Sequence, residues 1–194
     1  MEKVLYTKNF IDKNGDDNMK TTERFKLIQQ LKRHEGVMLK VYRCPANKLT
    51  IGIGRNLQDK GLTNVEQNFI FGEGNMSKNV VIDEFMKRKV DDKGNNITVQ
   101  EAEWLLERDI ENCVSELERH KWFTELDSVR QDAIINMCFN MGYGGLMKFT
   151  RMIKALELKD YITASKEASN SRWYKQVGNR SKEIVQQILT GVYQ

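Results

Sequence analysis

The chain has 194 residues, 40% hydrophobic and 30% charged, a globular composition long enough for one domain in one or two lobes with a real core. A net charge of +4 fits attraction to an anionic polymer such as nucleic acid, cell wall or a membrane surface, without choosing among them. No stretch reaches membrane-spanning length, and the three cysteines, Cys44, Cys113 and Cys138, cannot all pair within the chain and show no metal-ligand spacing. They are expected to stay reduced, in a chain made in a cytoplasm.

The first 20 residues hold no apolar run of signal-peptide length, and 10–18 is polar, acidic and turn-rich, so 1–20 is expected to be a flexible arm. Thr21 or Thr22 can then cap a helix with the apolar stripe Phe25, Ile28 and Leu31, ended by Gly36. Glu35 falls in its last turn, the wrong end of the helix dipole for a carboxylate, at a cost to ionisation of roughly 0.3–1 kcal/mol. A group that must hold a proton near neutral pH gains from that placement.

Two short strands around the turn Cys44-Pro45-Ala46-Asn47-Lys48 come next. Leu49, Ile51 and Ile53 share one face of the second strand, and Thr50, Gly52 and Gly54 the other. Glycines inside a strand mark a close approach. A carboxylate, a thiol and a hydroxyl beside a bare glycine face suggest a site; an ordinary amphipathic hairpin after a helix is the other reading.

Residues 57–79 read as a polar, glycine-containing segment, Val80 to Val90 as a short helix or strand, and Asp91 to Asn96 as a loop turning at Lys93-Gly94. Thr98-Val99-Gln100-Glu101 is a capping box that opens a long amphipathic helix reaching about His120. From Trp122 onward the periodicity is helical: Val129 to Cys138 as one stripe stopped by the glycines after Met141, then 149–158, 162–168 and 180–189. Cys113 and Cys138 sit on these stripes and read as small buried hydrophobes. His34 and His120 are isolated and suggest neither metal site nor triad.

Four segments in order carry a resemblance: Glu35…Cys44…Thr50-Ile51-Gly52-Ile53-Gly54; Leu126 to Arg130; Ile135-Asn136-Met137-Cys138-Phe139-Asn140-Met141-Gly142; and Ser171 to Gln176 with Asn179-Arg180. From about residue 23 to its end the chain resembles the T-even-type phage lysozymes, the phage endolysins of glycoside hydrolase family 24, with extra residues somewhere between Asn56 and Asn95. The resemblance implies an α+β, two-lobed lysozyme-like fold: a small N-terminal lobe with a β-hairpin or sheet (21–97), a long connecting helix (98–120) and an all-helical C-terminal lobe (121–194). It implies cleavage of the β-1,4 bond between N-acetylmuramic acid and N-acetylglucosamine in peptidoglycan, by a monomer that uses no cofactor and no metal. Such an enzyme accumulates in the host cytoplasm, does not itself insert stably in the membrane, and reaches the wall in the periplasm after a separate membrane lesion, causing host lysis.

In that family Glu35 falls on the general acid and Thr50 on the threonine that helps hold the attacking water. Cys44 falls where the best-known members carry an aspartate; other members share its Cys-Pro-Ala turn. Cys44 could position or deprotonate the water, act as nucleophile, or only shape the turn. Glu35 would disfavour its thiolate, and Lys40, Arg43 or Lys48 would favour it. Arg180 is expected beside Glu35, holding the carboxyl group and favouring its ionised form. Phe139, Asn140 and Trp173 match positions near bound sugar; Trp173 is also expected to pack in the core with its N–H on Asn140. Tyr143 is a candidate sugar contact by position alone. The rivals are a weak or inert wall-binding relative, a tail-associated lysozyme module, and a nucleic-acid-binding protein, disfavoured by the lack of a basic stripe.

Overall fold

Short polar side chains set the helix starts in the computed structural model, which describes residues 17–194, with side chains from residue 24 onward. Helix α1 runs Asp17–Glu35, already under way at Thr21 and Thr22, so neither threonine caps it. Residues 1–16 of the expected arm lie outside the described residues, and 17–20 are helical. Gly36, at φ +74°, ends α1, its amide bonded to the Lys32 carbonyl. Strands β1 (Met38–Arg43), β2 (Leu49–Gly52) and β3 (Arg55–Asn56) form one antiparallel sheet in the order β1-β2-β3. Tyr42 pairs with Thr50 and Ile51 with Arg55. The third strand follows from Gly52 and Gly54, both at positive φ, which turn the chain back around Ile53.

Helix α2 (Asn64–Phe71) occupies the segment expected to be irregular. Its signal was a capping box, Thr63 with Glu66, of the kind that marks the long helix. Helix α3 (Lys78–Lys87) resolves the ambiguous 80–90 stretch, and the loop after it turns at Gly94 as expected. Helix α4 (Val99–Leu117) starts on the Thr98/Glu101 capping box. The rest is helical: α5 (Lys121–Thr124), α6 (Ser128–Met141), α7 (Tyr143–Leu146), α8 (Thr150–Glu157), α9 (Tyr161–Ser169), α10 (Arg172–Val177) and α11 (Asn179–Thr190). This is the α+β arrangement of a small sheet-bearing part and a helical part joined by a long helix. No helix among the described residues is long and apolar enough to cross a membrane.

The inward stripe of α1 differs from the expected one. Leu31 is buried and Ile28 half-buried as expected, but Phe25 is 60% exposed, and Leu27 and Gln30 are buried in its place. Residues 132–138 of α6 are buried in an unbroken run, so α6 is the axis of the helical part. The α1 face meets α6 and α11 through polar side chains: Gln30 bonds to Gln187 at 2.6 Å and receives a bond from Asn136 at 3.0 Å. A half-polar inward face does not register as an apolar stripe.

The sheet is tied to α4 by a buried arginine. Arg55, 2% exposed, holds Glu66 through both oxygens at 2.7 and 3.1 Å, Asp109 at 3.0 Å, and the carbonyls of Gly61 and Leu105. Every polar atom of such a group needs a partner away from water, and here the partners come from three separate segments.

Candidate active site

Glu35 is the last residue of α1, and its side chain is about one-fifth exposed, on the wall of a cleft of about 880 Å³. Arg180, 8% exposed in the first turn of α11, donates from Nη1 to Glu35 Oε1. Its other nitrogens are anchored on α6: Nε donates to Asn136 Oδ1 at 2.9 Å and Nη2 to the Asn136 carbonyl at 3.3 Å. The guanidinium therefore cannot swing without breaking a fixed fork.

Behind Asn136 lies a second layer. Gln30 donates to Glu183 at 2.8 Å, His34 Nε2 lies 2.8 Å from Glu183 Oε2, and Arg33 pairs with the same carboxylate. Burial lowers the His34 pKa below its usual value, the Glu183 bond opposes this, and the Arg180 charge reinforces it. For Glu183, burial raises the pKa, but the bonds from Gln30 and His34 and the charge of Arg33 outweigh it and keep it ionised. Glu183 calls for a donor on the imidazole and Asn136 for an acceptor, and one tautomer satisfies both. Neutral His34 with the proton on Nε2 donates to Glu183 and leaves Nδ1 to accept from Asn136 Nδ2 at 3.4 Å.

The other functional groups stand on the hairpin. Cys44 opens a tight turn: its amide donates to the Lys48 carbonyl at 3.0 Å, and Asn47, at φ +59°, donates back to the Cys44 carbonyl at 2.8 Å. The Lys48 backbone N–H above all, and less so the Thr50 hydroxyl and the Ala46 N–H, favour the thiolate of half-buried Cys44 and hold it below its ordinary pKa against the opposing effect of burial. The expected cationic side chains do not do this work. Arg43 donates to the Asn47 carbonyl at 3.0 Å, and Lys48 pairs with Asp59 at 3.0 Å. Thr50 is 3% exposed and its hydroxyl lies 3.1 Å from the Lys48 carbonyl. The turn is a nest of amides aimed at one sulfur, which favours thiolate without any fixed cation.

The glycine face is covered by the protein itself. A Cβ on Gly52 would lie 3.3 Å from the Ala102 side chain, and one on Gly54 would lie 3.0 Å from Glu35 Oε2. The close approaches are α4 and the catalytic candidate, in place of an open face for a ligand.

Glu35, Cys44, Thr50, Phe139, Asn140 and Tyr143 all line the one cleft. Trp173 does not. It is 7% exposed, packs edge-on against Phe149, and its Nε1 donates to Asn140 Oδ1 at 2.8 Å from behind. Tyr143 is fixed by a 2.7 Å bond to His120, whose ring stacks on it. A second depression of about 630 Å³, between α8 and α10, lies away from Glu35. Among the described residues no group of three or more His, Cys, Asp or Glu could hold a metal ion.

Sequence reasoning did not single out three sets of groups in the cleft or behind it. Tyr42 pairs with Thr50 in the sheet, and burial, then the charges of Glu35 and Cys44, raise its phenol pKa; strand pairing was the available signal. Asn136, Gln30 and Glu183 had no local signal at all. Cys113 and Cys138, read as core residues, both reach the cleft.

The phage lysozyme family profile matches residues 32–188. Among curated relatives, the pre-baseplate central spike protein Gp5 of Enterobacteria phage T4 is 31% identical over 91% of this chain, which spans only 29% of that protein's length. Two Dictyostelium discoideum proteins match nearly end to end. "Probable T4-type lysozyme 1" is 32% identical over 83% of this chain and 92% of its own length. "Probable T4-type lysozyme 2" is 29% identical over 85% and 94%.

Proposed function

Because the chain belongs to the phage lysozyme family, we propose that it is an N-acetylmuramidase that hydrolyses the β-1,4 bond between N-acetylmuramic acid and N-acetylglucosamine in peptidoglycan. The observation that carries this reading is the convergence on one cleft of an arginine-held carboxyl group and a hydroxyl–thiol pair. Glycoside hydrolysis needs an acid at the leaving oxygen and a second group at the anomeric carbon.

Glu35 gives its proton to the glycosidic oxygen as that bond breaks. Arg180 then stabilises the carboxylate that remains, already oriented and with no reorganisation at the moment of reaction. A sugar chain filling the cleft expels water around the carboxyl group and favours the protonated form the step requires. Thr50 and Cys44 hold the attacking water, and a thiolate fraction at Cys44 accepts its proton. Displacement by that water inverts the anomeric carbon, whereas attack by the Cys44 sulfur would retain it, so the product anomer separates the two roles. Phe139 and Asn140 contact sugar, and Trp173 serves by holding Asn140. In this reading the protein is a monomer made in the host cytoplasm. It meets the wall in the periplasm after a separate membrane lesion, and its action ends in host lysis.

Clearing of outer-membrane-stripped Gram-negative cells, followed by turbidity, tests the proposal with wild type and Glu35→Gln side by side. Loss of the acid should cost about 10²–10⁴-fold in rate. A folded wild type that clears nothing would sink the reading and favour an inert wall binder. A second reading has support in the 31% identity to a spike protein: a lysozyme module carried on a phage particle. Recovery of the chain with purified particles, and its absence from the soluble pool, would favour that account.

A further inference from the structure

Tyr143 lines the cleft together with Glu35, and the proposed reaction gives it no part. It is the first residue of α7, half-buried, and its side chain is fixed at both ends. At the backbone end, α7 is a single turn anchored by fully buried Leu146, whose amide donates to the Gly142 carbonyl at 3.0 Å; the Met147 amide donates to the Tyr143 carbonyl at 2.9 Å. At the far end, the phenol oxygen shares a 2.7 Å hydrogen bond with His120 Nε2. His120 lies just beyond the end of α4, and its ring rests in turn beside buried Trp122, with centroids 5.9 Å apart.

With the hydroxyl engaged, what Tyr143 offers a ligand is its ring. The stack with His120 is strongly offset: the planes are 25° from parallel and the centroids 6.0 Å apart, so the imidazole lies at the hydroxyl end and does not cover the face of the phenol. Gly142 and Gly144 flank Tyr143 in the chain, and a Cβ on either would meet open space, so no neighbouring side chain screens the ring. The face of an aromatic ring carries the negative part of its quadrupole. The C–H bonds of a pyranose present an apolar, weakly positive face of matching size. We propose that Tyr143 is a sugar platform, its ring stacking on one pyranose of a glycan chain in the cleft, and that His120 is the positioning residue that holds the ring in its stacking plane. The identity of the ligand, a β-1,4-linked chain of N-acetylated sugars, rests on the muramidase reading.

The His120 bond contributes by preorganisation. A tyrosine ordered only by its ligand loses rotamer freedom on binding, and one already tethered at its hydroxyl does not. The platform and its tether stand on α7 and on the segment after α4, apart from the helix end that carries Glu35 and the hairpin that carries Cys44 and Thr50. A ring that only holds the chain binds substrate and transition state alike. Its loss should therefore appear in KM and leave kcat to the groups that touch the scissile bond.

The test uses the full-length protein and soluble peptidoglycan glycan chains freed of their peptide stems. Binding is titrated by calorimetry on a Glu35→Gln background, and hydrolysis is followed by new reducing ends with Glu35 intact. Tyr143→Ala should weaken binding about tenfold and raise KM by the same factor. Tyr143→Leu, which keeps apolar bulk without a π face, should do the same, and Tyr143→Trp should bind like wild type. Tyr143→Phe and His120→Phe each remove the tether and should weaken binding about threefold, the double variant no further, because both lose one and the same bond. Unchanged binding in Tyr143→Ala and Tyr143→Leu, a fall in kcat with KM unmoved, or glycan chains that bind neither wild type nor variant would overturn the platform. A double variant weaker than either single one would remove the role given to His120. A wild type that binds the chains through Tyr143 but does not cut them would sink the muramidase reading and leave the platform standing.

Discussion

The two chemical walls of the cleft are built in opposite ways. The wall that carries Glu35 is assembled from helices far apart in sequence: Arg180 reaches Glu35 across 145 residues, His34 reaches Glu183 across 149, and Asn136 reaches Gln30 across 106. Its polar groups, buried or half-buried, bond one another in a chain from Glu35 through Arg180, Asn136 and Gln30 to Glu183. The wall that carries Cys44 is a single turn at the tip of a hairpin. There the amides of Lys48 and Ala46 and the hydroxyl of Thr50, all within six residues of Cys44, are what lower its pKa. One wall fixes a group by tertiary structure, and the other tunes a group by local backbone. Damage to the first should reach the whole fold, and damage to the second should stay in the chemistry.

The largest expected effect on this contrast comes from Arg180→Met. It removes both the Glu35 partner and the anchor on Asn136, and it leaves Asn136 Oδ1 buried with its donor gone. Misplacing the acid by an ångström is enough for about a 10²-fold loss. Stability should fall together with rate, because the orphaned acceptor costs about 1–3 kcal/mol. Arg180→Lys keeps a charge, but one ammonium cannot span Asn136 and Glu35 in the same plane, and the pH–rate profile should change. Turbidity rates and urea midpoints measured on the same samples decide the matter. A full loss of rate with an unmoved midpoint would mean that this wall is no more structural than the turn.

A middle-sized effect is expected at Cys44, confined to rate. Cys44→Ala loses one hydrogen bond to the attacking water, about 1–1.5 kcal/mol or roughly tenfold. Cys44→Ser should retain much of the activity as a water holder, and Cys44→Asp should exceed wild type if deprotonation of the water limits the rate. The urea midpoint should stay put throughout, since the turn is held by backbone bonds that the side chain does not make. An alanine variant with undiminished rate would leave Cys44 only the shaping of the turn.

The same contrast explains how much could be read in advance. The hairpin, its turn and the end of α1 at Gly36 were legible because strand alternation, a proline–asparagine turn and a helix-ending glycine act within a few residues. The capping box at Thr98 was equally local; the one at Thr63 was as plain and marked α2 in a stretch that looked irregular. The Asn136–Gln30–Glu183 layer was not legible, since each is an unremarkable polar residue until the fold brings three helices together. Phe25 illustrates the converse: it sits at helical spacing with Ile28 and Leu31, yet the inward face is chosen by what Gln30 and His34 must reach, and Phe25 is left exposed. The third strand needed two positive-φ glycines to act as a turn, where alternation alone read them as continuing the strand.

The smallest effect probes the deepest layer of the acid wall, through pH. The folded-state pKa of His34 is lowered, so below its unfolded value near 6.5 the unfolded chain takes up a proton that the folded chain refuses. Its part of the stability is whole above that pH and is lost as pH falls toward the folded value. Glu183 is also lowered, from 4.5, so its part is whole above 4.5 and is lost as pH falls further. The His34 window opens at the higher pH, and both make stability rise with pH. His34→Gln keeps a donor for Glu183 and an acceptor for Asn136 but does not titrate. Urea midpoints for this variant should lose the upper step, from about 6.5 down to the lowered folded-state value of His34, and keep the one set by Glu183. Cys44→Ser, on the other wall, should keep both steps. A His34→Gln curve that still falls between those pH values would mean that the pH dependence there arises outside the layer behind Glu35.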